Sequence, residues 1–116
     1  MYLTLPWSPT VNTYWRHAGN RTYISAKGKA YRERVIAIVE DQDLSGPLTG
    51  RLTCHIWAYP PDKRRRDLDN LLKALLDAME HAGVYMDDSQ IDDLRIERRP
   101  MVAPDGKIMV HIGEKP

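Results

Sequence analysis

The chain has 116 residues, of which 42% are apolar and 28% charged, and a formal net charge of +1. This is the size and composition of one small globular domain, expected to run over residues 1–116, and it excludes wholesale disorder. No apolar run approaches the roughly 20 residues of a membrane span. Met1–Pro6 has neither the basic nor the long apolar region of a secretory leader, so the expected compartment is the cytoplasm, with no membrane partner. The single cysteine, Cys54, excludes an internal disulfide framework and a zinc site of several thiolates. It sits among alternating apolar residues and reads as a buried structural thiol.

In chain order, Met1, Leu3 and Leu5 alternate and predict a short strand that stops at Pro6. Residues 6–24 hold Pro6, Pro9, Asn12, Gly19 and Asn20 and read as a long loop or ribbon. A loop that long in a small domain is often functional. Ser25 is a helix cap, and Tyr31, Val35, Ile38 and Val39 form one stripe of a helix over about 26–41. Ser45-Gly46-Pro47 breaks the chain. Leu52, Cys54, Ile56 and Ala58 then alternate as a half-buried strand ended by Pro60-Pro61. Leu68, Leu71, Leu72, Leu75 and Met79 have helical spacing, with Gly83 at the stop, giving a second helix over about 68–82. Leu94 and Ile96, then Ile108, Val110 and Ile112, alternate as two strands. Pro104-Asp105-Gly106 between them predicts an antiparallel hairpin. The expected fold is α+β in the order β-α-β-α-β-β, a small mixed sheet with two helices on one face.

The nearly neutral total hides a segregated charge. Residues 1–35 carry six lysines or arginines against the single acid Glu33, and Lys63-Arg64-Arg65-Arg66 is a second basic block. Ten of the sixteen acids fall between Asp62 and Glu97. Such a pattern suits a protein that holds a polyanion against metal-binding carboxylates, although charge runs are usually solvated faces.

The informative stretch is Arg64-Arg65-Arg66-Asp67-Leu68-Asp69-Asn70-Leu71-Leu72-Lys73. Residues two apart inside a helix point to nearly opposite sides, so Asp67 and Asp69 can share a metal only if Asp67 lies before the helix. Asp69 and Lys73, four apart, share a face. Each residue alone also has an ordinary role: Asp67 as a cap, Asp69 as a complement to the helix dipole, Lys73 as a partner of Asp69 or Asp77. A second acidic cluster follows, Asp87-Asp88, and then Asp92-Asp93, which also reads as a polar turn before a strand. Hard carboxylate oxygens suit Mg²⁺ or Mn²⁺. Carboxylates from two segments, one lysine and adjacent arginines are the parts of a phosphodiester hydrolase. Tyr14, Trp15, Arg16, His17, Arg21 and Tyr23 interleave aromatic and basic side chains on the ribbon, which suits nucleic-acid contact as well as anchoring to the core. The four scattered histidines show no metal-ligand spacing.

Taken together these residues resemble the RusA-type Holliday junction resolvases, small endodeoxyribonucleases common in phages and prophages. The resemblance runs from Leu5-Pro6-Trp7, Asn12, Tyr14-Trp15-Arg16-His17, Arg21-Thr22, Ser25, Gly28 and Tyr31-Arg32 through Arg65-Arg66-Asp67-Leu68-Asp69-Asn70, Lys73, Asp77 and Gly83 to Asp87-Asp88-Ser89-Gln90-Ile91. It implies a RusA-like fold and a homodimer that uses Mg²⁺, or Mn²⁺ in its place, to nick opposite strands of four-way branched DNA in recombination and repair. It implies Asp67, Asp69 and Asp88 as catalytic metal ligands, with Asp87 assisting, and Lys73 as the catalytic lysine. Arg16, Lys27, Arg64, Arg65 and Arg66 are the expected DNA-backbone contacts. The expectation is that Asp88 folds back to Asp67 and Asp69. Its rivals are a non-catalytic nucleic-acid-binding module, a less selective branched-DNA nuclease, and a structural phage protein.

Overall fold

The computed structural model describes residues 1–42 and 44–116. Among them the chain forms β1 (Tyr2–Leu5), α1 (Val11–Tyr14), β2 (Trp15–Ala18), β3 (Arg21–Ile24), α2 (Ala26–Glu40), β4 (Leu52–Tyr59), α3 (Asp69–His81), β5 (Ile91–Arg98) and β6 (Lys107–Glu114). A single 3₁₀ turn, Asp88–Gln90, leads into β5. The expected α+β class is the observed one. The ribbon expected in residues 6–24 is the one-turn helix α1 followed by the hairpin β2–β3. No helix among the described residues is long and apolar enough to cross a membrane.

Four strands form one sheet in the order β1-β6-β4-β5. β4 carries the cleanest alternation, with Leu52, Cys54, Ile56 and Ala58 buried and their neighbours half-buried. It occupies an inner position, antiparallel to β6 and parallel to β5. The expected hairpin between the last two strands is therefore corrected: β5 and β6 do not pair, and β4 lies between them. The reason is polarity. β5 (Ile-Asp-Asp-Leu-Arg-Ile-Glu-Arg) is too charged for the interior and takes an edge, where its outer hydrogen-bonding side meets water. The connection after β5 then crosses the end of β4. The amides of Arg99 and Val102 donate to the carbonyls of Ala58 and Pro60, both at 2.8 Å. Gly106 closes this crossing at φ 68°, and a Cβ there would stand 2.8 Å from the Tyr59 carbonyl oxygen. The chain does turn at Pro104-Asp105-Gly106, but local spacing carries no information on its reach across a neighbouring strand.

The helices cover one face of the sheet. Leu3, Leu5, Ile56, Ile108, Val110 and Ile112 of the strands join Tyr31 and Val35 of α2 and Leu75 and Met79 of α3 in one core. Cys54 is part of it, and burial pushes its thiol up to about 12, so it is no nucleophile at neutral pH. A polar knot joins the N-terminal segment to both long helices. The Tyr14 hydroxyl donates to the Asp77 carboxylate, and Arg32 Nε donates to the Tyr14 oxygen at 2.8 Å and to Asp77 Oδ2 at 2.9 Å. Burial and the Asp77 charge both hold the Tyr14 phenol well above its ordinary pKa.

Ser25 caps α2 as expected, its Oγ accepting from the Gly28 amide at 3.0 Å. The same hydroxyl donates to Thr13 O at 2.6 Å, so the cap also fastens α1. Gly28 is needed for that approach: a Cβ there would lie 2.6 Å from the Tyr14 carbonyl oxygen and 2.7 Å from the Ile24 side chain. Gly28→Ala gains about 1 kcal/mol of helix propensity. The overlap with backbone outweighs it, as overpacking costs about 1–3 kcal/mol. The expected result is a lower urea midpoint at unchanged m-value.

Candidate active site

Helix α3 carries candidate side chains at both ends. Asp67 precedes the helix, which begins at Asp69 with Leu68 as its cap residue. The condition for the two aspartates to converge, Asp67 outside the helix, is met. Neither is consumed by the ordinary roles. The Leu68 cap has no side-chain hydrogen bond, and among the described residues no hydrogen bond or ion pair reaches either carboxylate. Lys73 lies one turn further along, exposed, and among the described residues it has no ion-pair partner. Asp77, the alternative partner for Lys73, is taken by Arg32 at 2.8 Å. Beside Asp67 is a cleft of about 270 Å³ that Thr10, Arg65, Arg66, Asn70 and Leu71 also line.

The arginines ahead of Asp67 divide into two kinds. Arg66 forms a two-pronged pair with Asp62, at 2.5 and 3.0 Å, and its guanidinium lies 5.7 Å from the Trp7 ring centre. Arg64 also reaches Asp62 but is almost fully exposed. The arginines hold the Asp62 carboxyl well below its usual pKa. Arg65 is exposed and has no ion pair among the described residues. Arg16 stands on the exposed hairpin, and Lys27 on the exposed first turn of α2.

Asp87 and Asp88 sit at the opposite end of α3. The helix stops in a Schellman motif: the Gly83 amide donates to Glu80 O and the Val84 amide to Met79 O, each at 3.0 Å, with Gly83 at φ 82°. Tyr85 is then buried, its hydroxyl donating to Leu76 O at 2.6 Å. Asp87 caps the 3₁₀ turn by accepting from the Ser89 amide at 2.8 Å, which holds its carboxyl below the ordinary value. Gln90 accepts from the amides of Met86 and Asp87 and donates to Leu48 O and Gly50 O, so the turn is pinned to the loop before β4. The Asp88 amide donates to Glu80 Oε1 at 2.9 Å.

Within one copy, then, Asp88 does not approach Asp67 and Asp69. Asp69 and Glu80 are eleven helical residues apart, about 16 Å at the usual rise. What lies beside Asp87 and Asp88 is Glu80. One carboxylate oxygen from each of the three can be taken so that all lie within 4.8 Å of one another, a hard-oxygen donor set that fits a divalent cation. Sequence reasoning missed Glu80. The signal was present: Glu80 is seven residues after Lys73, two turns along the same stripe. Asp92 and Asp93 lie within β5 rather than in a turn before it, and pair with Arg51 at 2.6 Å and Arg95 at 3.5 Å.

With that geometry in hand, comparison with known proteins assigns the class. The family described as endodeoxyribonuclease RusA matches residues 6–113, and the chain belongs to it. A protein named crossover junction endodeoxyribonuclease in Enterobacteria phage 82 is 44% identical over 117 residues, covering 97% of this chain and 93% of the relative. The protein of that name in Shigella sonnei strain Ss046 is 45% identical, with 97% and 92% covered. That of Enterobacteria phage HK97 is 46% identical, with 95% and 91% covered.

The three-carboxylate set carries its own expected outcome. Glu80→Gln removes one donor and lowers Mn²⁺ affinity in calorimetric titration, by about tenfold or more, as loss of one charged ligand does. Asp92→Asn, outside the set, leaves the titration unchanged.

Proposed function

We propose that this protein is a divalent-metal-dependent endodeoxyribonuclease that resolves four-way DNA junctions by paired nicks, working as a homodimer on DNA in the cytoplasm, with residues 1–116 as one catalytic domain. The observation that carries the reading is Asp67 in a cleft with Arg65 and Arg66, with Asp69 and Lys73 exposed on the first turns of α3 and all three without an ion-pair partner among the described residues, in a chain of this family. The names of the relatives supply the substrate class.

The spacing along α3 supports the homodimer. One copy holds half of the expected ligands at each end of a rigid helix. A two-fold axis crossing the exposed stripe of α3 exchanges the ends, so that Asp87 and Asp88 of one copy meet Asp67, Asp69 and Lys73 of the other. The charges favour it. Arg64, Arg65, Arg66 and Lys73 against Asp67 and Asp69 give the first end a formal +2, while Glu80, Asp87 and Asp88 give the second −3. Half-buried Leu72 and Leu76 flank the stripe and supply apolar area.

In this reading Asp67, Asp69 and Asp88 hold Mg²⁺ or Mn²⁺, and Asp87 and Glu80, whose oxygens lie beside that of Asp88, support it there. A bound divalent ion offsets charge developing on phosphorus and acidifies the attacking water. Lys73 donates to the scissile phosphate and stabilises its added charge. Arg64 and Arg65, with Arg16 and Lys27, bind neighbouring phosphates and fix the strand, while Arg66 positions the loop through Asp62.

Two outcomes are expected. Asp69→Asn abolishes cleavage of a labelled four-way junction while binding in a mobility-shift assay persists, and EDTA arrests the wild type in the same way. Asp69→Asn and Asp88→Asn are each inactive alone, but mixed and re-equilibrated they regain nicking at roughly a quarter of the wild-type sites, because each mixed dimer has one intact site. No recovery in mixtures shown to exchange subunits refutes the shared site; cleavage by Asp69→Asn refutes the residue assignment.

A further inference from the structure

The sheet has a second face that the helices do not cover. Its β1, β6 and β4 residues include Tyr2, Met109, Trp57 and Tyr59, all at least partly exposed, with Tyr2 at 65%. With Arg99 these line a cleft of about 350 Å³. Arg99 also lines the adjoining cleft, of about 400 Å³, together with Lys63, Arg64, Arg65, Arg98 and Met101. The crossing after β5 holds the two clefts together. The Arg99 amide is bonded to Ala58 O, and Arg98 donates to Arg66 O, both at 2.8 Å. Lys107 adds a cation 4.9 Å from the Tyr59 ring centre.

The electrostatics of this corner are one-sided. Asp62 is spent on Arg66 and Arg64, and Glu97 on His55 at 2.9 Å and Arg99 at 3.5 Å. Among the described residues Lys63, Arg65, Arg98 and Lys107 have no carboxylate partner. A basic cleft that opens into an aromatic one matches a sugar-phosphate backbone with a base turned aside from it. A duplex hides its base faces in the stack, so the aromatic cleft has a use only for an unpaired nucleotide. A second copy of the chain is the poorer occupant, because a self-complementary contact here would set these cations against their own copies.

We propose that the Arg98–Arg99 corner of the open sheet face binds an unpaired DNA strand, with phosphates along Arg65, Arg98 and Arg99 and a base stacked among Tyr2, Trp57 and Tyr59. The base cleft is separate from the carboxylates of α3, the two sites share Arg65, and binding there needs neither metal nor cleavage. It gives the protein a way to hold bases that a branch point leaves unstacked.

The test is fluorescence anisotropy of the full chain with a labelled oligothymidylate and, in parallel, a labelled duplex, in EDTA. Tyr2→Ala/Tyr59→Ala weakens oligothymidylate binding by about tenfold and leaves duplex binding unchanged. Tyr59→Phe, which keeps the ring, retains wild-type affinity. Arg98→Gln/Arg99→Gln weakens oligothymidylate binding and flattens its salt dependence. Tyr2→Ala alone, at a largely solvated side chain, gives a smaller loss in the same direction and serves if the double variant does not fold. Equal losses on duplex and single strand, or no loss, overturn the proposal. So does a change in sedimentation of the folded tyrosine variant, which would make this face a contact between copies. Junction cleavage and the mixed-dimer assay read the α3 site independently, so failure of either proposal leaves the other standing.

Discussion

The rigid length of α3 is the constraint on which the rest depends. Its first residue is Asp69 and its last full turn contains Glu80, with Leu71, Leu75 and Met79 buried between them. Bringing Asp88 to Asp69 within one copy would mean unwinding that turn sequence. Each of those buried side chains contributes roughly 1.5–3 kcal/mol that unwinding would forfeit. The far end is held as firmly, by the Schellman stop, the buried Tyr85 and the Gln90 bonds to Leu48 and Gly50. In the proposed function, two acidic half-sites on one inflexible rod call for assembly from two copies, which would tie cutting to the symmetric pairing that two opposed nicks require.

The treatment of charge around this rod is selective. Asp77, Asp62 and Asp92 each have an arginine at 2.5–2.8 Å. Asp67 and Asp69 have none among the described residues, although Arg64, Arg65 and Arg66 immediately precede them. Asp62 supplies the explanation: it draws Arg66 and Arg64 to itself, and Arg66 leans on Trp7 as well. Arg65, which has no ion pair among the described residues, is the member of the block left available to phosphate in the cleft beside Asp67.

Several features were legible in the chain because they depend on local chemistry. The stripe Tyr31, Val35, Val39 and the stripe Leu71, Leu75, Met79 face the core as their spacing requires. Ser25 caps and Gly83 stops, each through backbone geometry that reaches only a few residues. The alternation in β1, β4 and β6 names their buried faces. Asp67, Asp69 and Lys73 stand out by spacing and Asp87-Asp88 as a second acidic cluster, and resemblance to a family gives each its expected role. Glu80 was passed over because a glutamate near a helix end is ordinary until its neighbours across the turn are known.

By itself the sequence determined the type, approximate ends and buried side of β1, α2, β4, α3 and β6, since hydrophobic period, caps and turn residues act over one or two turns. Tertiary structure alone decided that β4 separates β5 from β6, and that Asp88 keeps company with Glu80 at the end of α3 remote from Asp69. Strand neighbours are chosen by competition for burial across the whole sheet, which placed the most charged strand at its edge. The distance between side chains on different segments follows from how far a rigid helix carries the chain before it can turn.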